Sequence, residues 1–176
     1  MNIALIIGVS HYQDSRNNLP GCKNDAEAMY SIVSKTERFN EILCINNNER
    51  SARVKEQINN FIINVKDKEV IEFFFYYSGH GEFYSDEFYY LLSDFDVKKR
   101  NQTSLQNKEI DNLIKSLNPK LVVKVIDACQ SGTVYIKENN PLDKYFKDRK
   151  DTFNKCYFIS SSLNNQSSFM TDSLSF

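Results

Sequence analysis

Short, continuous apolar runs alternate with amphipathic stretches along most of the chain. Runs of about 4–8 apolar residues are typical of strands buried on both faces of a parallel sheet. Such runs lie at Ile3–Val9, Glu41–Ile45, Val70–Tyr77, Leu121–Ile126 and Cys156–Ser160, and a smaller strand or hairpin is predicted at Phe88–Leu92.

Three stretches between these runs have helical spacing of their apolar residues. They cover Asn24–Phe39, Ser51–Val65 and a third segment around Ile110 and Leu117, which Pro119 ends. Alternation of strands and helices predicts an α/β fold, with an open, mostly parallel sheet and helices on both faces. Because the sequence has no internal repeat and no linker between domains, residues 1–176 are expected to form a single domain.

The segment Thr133–Asn154 is crowded with Lys, Asp, Glu and Asn and has no apolar periodicity. We interpret it as an exposed, mobile loop. After the last strand the chain offers only a polar segment, whereas a doubly wound domain normally adds a further helix. A closing C-terminal element is therefore expected to be missing from this chain.

Composition and charge argue against several classes of function. The 176 residues carry a formal net charge of −1, which gives no reason to expect a nucleic-acid or anionic-membrane partner. No apolar run reaches the roughly 18 residues of a membrane helix, so a cytoplasmic protein is expected. Four scattered cysteines and two histidines, without a CxxC pair, predict neither a structural metal nor a disulfide.

Two motifs follow predicted strands and carry reactive side chains. They are Ser78-Gly79-His80-Gly81 and Asp127-Ala128-Cys129-Gln130-Ser131-Gly132. In open α/β sheets ligands bind beyond the carboxyl ends of the strands, where both motifs are expected to lie. An imidazole next to a thiol favours the reactive thiolate. The pattern therefore predicts that His80 and Cys129 form a catalytic pair.

The sequences YSGHG and DACQSG resemble the His and Cys boxes of caspase-like cysteine peptidases, most closely the metacaspase and bacterial orthocaspase branch. His80 precedes Cys129 by about 50 residues, as in that class. Four flanking segments are similar to the family in the same order, namely ALIIGVSHY, LPGCKNDA, YYLLSDFD and CYFISSSLNNQSSF. By this resemblance residues 1–132 correspond to a large subunit, 133–154 to the linker and 155–176 to the start of a small subunit.

The resemblance implies a role for each residue of the two boxes. Cys129 would be the nucleophile, and His80 would activate it and protonate the leaving amine. The backbone amides of Gly81 and Cys129 would form the oxyanion hole. The family requires no cofactor for this chemistry, and calcium activation, which occurs in metacaspases, is left open.

The resemblance also implies an acidic S1 pocket, formed by Asp25 and Asp127 with Cys22 and Ser78 as walls. Two carboxylates favour Arg or Lys, so protein or peptide substrates with a basic P1 residue are expected. Self-cleavage in the linker is a further hypothesis. Its candidate sites are Lys137, Lys144, Lys147, Arg149 and Lys150.

Structural roles remain open for several of these residues. His80 and Cys129 could be core residues satisfied by their neighbours, Asp25 could cap the first helix, and Asp127 could hold its loop through hydrogen bonds. Cys22 could serve packing alone. Cys44 and Cys156 are expected in the core, and His11 is expected to be structural or solvated.

Other functions also remain to be weighed. The chain could be a catalytically silent interaction module, switched by a regulatory partner or by its missing C-terminal segment. A redox thiol enzyme is disfavoured, since no resolving cysteine lies near Cys129. A dinucleotide-binding domain is disfavoured because the turn Gly8-Val9-Ser10-His11 lacks the glycine pattern.

Overall fold

The computed structural model describes residues 1–130, 141–150 and 152–160. Within them the chain forms seven strands and four α-helices. The strands are β1 (Asn2–Gly8), β2 (Glu41–Ile45), β3 (Glu72–Tyr84), β4 (Glu87–Leu91), β5 (Ser104–Gln106), β6 (Leu121–Gln130) and β7 (Cys156–Ser160). The helices are α1 (Gly21–Lys35), α2 (Ser51–Val65), α3 (Asn107–Ser116) and α4 (Pro141–Lys150).

All the strands join one sheet. Five of them are parallel and lie in the order β2, β1, β3, β6, β7. β4 forms an antiparallel hairpin with the C-terminal end of β3, and β5 pairs with the other edge of β4. The prediction of an open, mostly parallel sheet is confirmed.

Helices cover both faces of the sheet, as predicted. Alternate residues of β1 point to opposite faces because the side-chain period of a strand is two. Ile3, Leu5 and Ile7 face the larger cluster, which includes apolar residues of α2, α3 and α4. Ala4 and Ile6 face a smaller cluster that includes Ala26 and Val33 of α1. The sheet is therefore a middle layer, with α1 on one face and the other three helices on the opposite face.

β3 and β6 are longer than the sequence predicts. The motif glycines suggested that both strands end before their motifs, at Tyr77 and Ile126. Instead the parallel pairing of β3 with β6 continues to Gly81 opposite Gln130, and β3 then pairs with β4. Main-chain pairing with β6 keeps β3 extended through its motif, and on the other edge β3 pairs with β1 up to Ser78 and with β4 from Gly81 onward. The site therefore lies on the strands themselves and not in loops beyond them.

The first helix is also shifted relative to its prediction. It starts at Gly21 with Pro20 as the N-cap and ends at Lys35, whereas Asn24–Phe39 was predicted. Asp25 lies inside the helix and is buried, so the interpretation of Asp25 as a helix cap is wrong. The carboxylate is thus placed on the helix face that packs on the sheet.

The interpretation of Thr133–Asn154 as an exposed loop is wrong for Pro141–Lys150, which forms α4. Phe146 of α4 is buried, stacks on Phe158 of β7 at 4.2 Å between ring centroids, and also contacts Phe88 of β4. These aromatic contacts attach the helix to the sheet. Residues 131–140, 151 and 161–176, which include residues 133–140 and 151 of the predicted linker, lie outside the described part.

A buried polar network joins β6, α3 and α4 on the three-helix face. Lys124 of β6 is 3% exposed and donates to Asp111 Oδ1 at 2.8 Å and to Asn107 Oδ1. Tyr145 of α4 donates to Glu87 and accepts from Asn107 Nδ2 at 3.3 Å. Burial lowers the pKa of Lys124, and the Asp111 carboxylate opposes that shift. The network therefore fixes α3 and α4 against the sheet.

Among the described residues, none of the helices combines the length and the apolar composition that a bilayer span requires.

Replacing Lys124 by Met is expected to destabilise the protein strongly. Removal of one partner from a buried ion pair leaves the other charge uncompensated, at a cost of about 3–5 kcal/mol. The free energy of unfolding from urea titration measures the loss.

The matched control is Lys120→Met. Lys120 Nζ lies 2.6 Å from Glu69 Oε1, but both side chains are mostly exposed, and such pairs contribute little. Similar losses in the two variants would contradict a dominant role for the buried pair.

Candidate active site

The pairing of β3 with β6 brings the two sequence motifs together. In the parallel register, Ser78 lies opposite Asp127, and His80 lies opposite Cys129. The side chain of Cys129 lies outside the described part of the chain, so this placement concerns its backbone. Neighbouring parallel strands are about 4.8 Å apart, which brings the two positions within reach of one substrate group.

The imidazole of His80 is held by the loop between β1 and α1, residues 9–20. Its Nε2 lies 2.9 Å from the main-chain oxygen of Asn17. A carbonyl oxygen only accepts, so Nε2 carries the hydrogen and Nδ1 of the neutral ring is unprotonated. Nδ1 is buried and has no hydrogen-bond partner among the described atoms. Burial lowers the pKa of His80, whereas the contact with Asn17 opposes that shift.

Two tyrosines fix the main chain at His80. The backbone N–H of His80 donates to the hydroxyl of Tyr12 at 2.8 Å, and the Tyr77 hydroxyl lies 2.8 Å from the carbonyl oxygen of His80. A Cβ atom on Gly79 would lie 2.6 Å from the Tyr77 hydroxyl and 2.9 Å from that of Tyr12. Only glycine leaves room for this close approach, which explains the glycine before His80.

Three of the four residues predicted for the S1 pocket lie where α1 faces β3 or on β3 itself. Asp25 of α1 is 7% exposed, and the Ser78 hydroxyl of β3 donates to its Oδ2 at 3.2 Å. Cys22 is buried on the same helix, one turn before Asp25. The fourth, Asp127, is partly exposed and lies opposite Ser78 in the register.

Tyr76 is a member of this cluster that the sequence did not reveal. Its pKa is raised by burial first, and then by the charges of Asp127 and Asp25. Both carboxylates are therefore close to one phenol, and the structure brings together two acids that are distant in sequence. In the sequence Tyr76 is one of several aromatic residues in an apolar run, and nothing marks it as different from the core aromatics beside it.

The remaining cysteines and the second histidine lie apart from this site. Cys156 packs in the larger core cluster, and Cys44 packs beside the smaller one. Burial raises the pKa of both thiols, which makes them poor nucleophiles. His11 is exposed, with Nδ1 at 2.9 Å from the Ser10 hydroxyl and 3.3 Å from Asn48 Nδ2. In residues 1–130, 141–150 and 152–160, no three His, Cys, Asp or Glu residues form a group that could hold a metal ion.

An α/β sheet with a histidine and a cysteine paired on adjacent central strands, next to a carboxylate cluster, is the arrangement expected of a caspase-like protein. The chain belongs to the Caspase domain family, whose sequence model matches residues 1–174.

A curated relative and two solved structures are similar to this chain. Metacaspase-2 of Arabidopsis thaliana is 31% identical over 147 residues, which are 74% of this chain and 34% of that protein. The chain thus spans about a third of the length of this curated relative. Protein GSU0716 from Geobacter sulfurreducens has a similar fold, with a TM-score of 0.64 at 20% identity over 99% of this chain and 77% of that one. The structure of pro-sf-caspase-1 matches 78% of this chain and 49% of its own, with a TM-score of 0.49 and 16% identity.

The surroundings of His80 predict its pKa in a Cys129→Ala variant. This variant has no Cys129 thiol whose titration could affect that of the imidazole. His80 is expected to titrate below its ordinary pKa of 6.5 because burial disfavours the charged ring. The unfolded chain then binds this proton more tightly, so the free energy of unfolding should decrease as the pH falls from about 6.5 through the folded pKa.

Two-dimensional ¹H–¹⁵N NMR of the imidazoles measures both the pKa and the tautomer. With two histidines in the chain, a His11→Gln variant suffices for assignment. A midpoint above 6.5, or a neutral ring protonated at Nδ1, would contradict the described geometry.

Proposed function

We propose that this protein is a cysteine endopeptidase that cleaves peptide bonds after Arg or Lys. Membership of the caspase domain family makes peptides the expected substrates. The observation that carries the proposal is the placement of His80 opposite Cys129, with the Nδ1 lone pair of His80 left without a described partner.

In the proposed reaction, Nδ1 of His80 accepts the proton of the Cys129 thiol. The thiolate sulfur then attacks the carbonyl carbon of the scissile bond, and the protonated His80 gives its proton to the departing amine. Water releases the acyl group from Cys129 and restores the thiol. The main-chain oxygen of Asn17 supports this sequence, since it accepts from Nε2–H throughout and stabilises the positive charge of the protonated ring.

The backbone amides of Gly81 and Cys129 are proposed to form the oxyanion hole. Gly81 supports this assignment by its position on β3 directly after His80, on the strand adjacent to Cys129. Amides of adjacent strands can donate to one oxygen atom, and such fixed donors stabilise the charge that develops in the transition state.

Preference for a basic P1 residue is proposed from the carboxylates of Asp25 and Asp127. The Ser78 hydroxyl donates to Oδ2 of Asp25 and so fixes the position of that carboxylate, whose negative charge would attract a guanidinium or ammonium group. Tyr76 lies close to both acids, and it is proposed as a neutral residue of the same pocket. A pocket lined by these two carboxylates would repel an acidic P1 side chain.

The test uses fluorogenic peptides that end in Arg, Lys or Asp and differ only in that residue. Wild-type protein is expected to release the fluorophore from the Arg and Lys peptides, and Cys129→Ala is expected to release none. Assays with and without calcium measure the dependence on that ion.

The pocket is tested in the same assay with Asp25→Asn. Loss of a buried charge partner costs about 2 kcal/mol or more, so kcat/KM for the Arg peptide should fall roughly 30-fold. Asp67→Asn, at an exposed position, is the matched control and should change nothing. Turnover of the Asp peptide alone would refute the P1 assignment. If folded wild-type protein cleaves none of the peptides, the result would favour a non-catalytic interaction module.

Self-cleavage is proposed at Lys137. The other four candidate residues, Lys144, Lys147, Arg149 and Lys150, lie on α4, and peptidases bind their substrates in extended form. Phe146 and Tyr145 attach that helix to the sheet, so its cleavage would require local unfolding.

Incubation of the wild-type chain should therefore yield a new N-terminus at Glu138, detectable by mass spectrometry. Lys137→Gln should remain intact while it still cleaves the Arg peptide, and Lys144→Gln should be cut like wild type. Fragments that begin at Tyr145 or Asp148 would show that α4 is the processed segment.

A further inference from the structure

We propose that Tyr12 is a positioning residue for His80, a role that rests on the proposed peptidase function. Its hydroxyl accepts the backbone N–H of His80 at 2.8 Å, and its ring packs on the imidazole with 4.9 Å between the ring centroids and a tilt of 50°. One side chain thus holds both the main chain and the ring of the candidate catalytic base.

The hydroxyl continues a hydrogen-bonded ladder that β1 leaves unfinished. The N–H of Val9 donates to the carbonyl of Ser78 at 2.9 Å, which is the last bond between the main chains of β1 and β3. In a continued parallel ladder the next N–H of β3, that of His80, would donate to a main-chain oxygen of β1. The chain instead turns away after Val9, and the Tyr12 hydroxyl takes the place of that oxygen.

Tyr12 is itself held by its surroundings. Its backbone N–H donates to Asn18 Oδ1 at 2.9 Å, and the N–H of Gln13 donates to the carbonyl of Ser93 at 2.8 Å. The same loop presents the carbonyl of Asn17 to Nε2 of His80. A shift of Tyr12 would therefore move the Asn17 contact as well, and the two contacts together orient Nδ1.

The substrate-binding cluster is separate from this contact. Asp25 and Ser78 are joined by their own hydrogen bond between α1 and β3, in which Tyr12 has no part. Removal of the Tyr12 hydroxyl should thus impair the proton transfers of His80 more than it impairs P1 binding. A misplacement of about 1 Å in a catalytic group costs on the order of 100-fold in rate, and loss of one support should cost less.

The experiment compares Tyr12→Phe with wild type on the Arg peptide. The value of kcat is expected to fall roughly 10-fold, with KM within about 2-fold of wild type. Tyr90→Phe is the matched control, because Tyr90 is fully buried and its hydroxyl donates to Asn107 Oδ1 at 2.8 Å. This control should lose stability and keep its kcat. An unchanged kcat in Tyr12→Phe, or an equal fall in Tyr90→Phe, would overturn the proposal.

A second measurement does not depend on activity. In a Cys129→Ala background, ¹⁵N shifts report the fraction of neutral His80 that is protonated at Nε2. Tyr12→Phe is expected to lower this fraction, since the ring is no longer held against Asn17, and Tyr90→Phe should leave it unchanged. An unchanged fraction in Tyr12→Phe would overturn the proposal even in an active enzyme. Failure of the peptidase assay in wild type would refute the proposed function and leave this test of Tyr12 valid.

Discussion

β3 and β6 lie side by side at the centre of the sheet, in a parallel register that runs unbroken from Glu72 opposite Leu121 to Gly81 opposite Gln130. The hydrogen bonds of this pairing hold the apolar strand positions against the helices on both faces. The same register sets Ser78 beside Asp127 and His80 beside Cys129. Because side chains alternate with a period of two, a slip of one residue would disrupt the core and the site together. Core stability therefore enforces the alignment of the candidate catalytic positions.

The polar network around Lys124 stabilises the opposite face from that of α1. Taking a lysine and an aspartate out of water is costly, and the pair is tolerated because Asn107 supplies further hydrogen bonds to both. Tyr145 brings α4 into the same network through Glu87. α4 is thus attached to the sheet by a polar contact as well as by the stacking of Phe146 on Phe158.

Much of the fold could be predicted from the sequence because its signals are local. The bounds of α2, β2 and β7 were predicted correctly, since apolar periodicity alone decides them. The ends of β3 and β6 were not, because glycine motifs resemble turns until the pairing with a neighbouring strand is known. α4 was missed because few of its residues are apolar, and the two that attach it, Tyr145 and Phe146, find their partners only in the folded sheet.

Part of the candidate site could likewise be predicted from the sequence, and part could not. The two boxes were recognisable as sequence, and the structure places His80 and the backbone of Cys129 together. The support of His80 by Asn17 uses a main-chain oxygen, which any residue type supplies, so no sequence pattern could reveal it. Tyr12 and Tyr76 have side chains that suit either core or site, and only their neighbours in the folded chain decide between the two.

The two faces of β3 have different roles, and this limits how the sequence can vary between species. Its odd positions, among them Phe73 and Phe75, fill the larger core cluster, and its even positions Tyr76, Ser78 and His80 carry the site. Insertion or deletion of a single codon in this strand would exchange the two sets at once. Gene variants should therefore tolerate amino-acid replacements here far better than changes of length. Length variation should accumulate in the surface connections, such as the turn at Ser85 and Asp86.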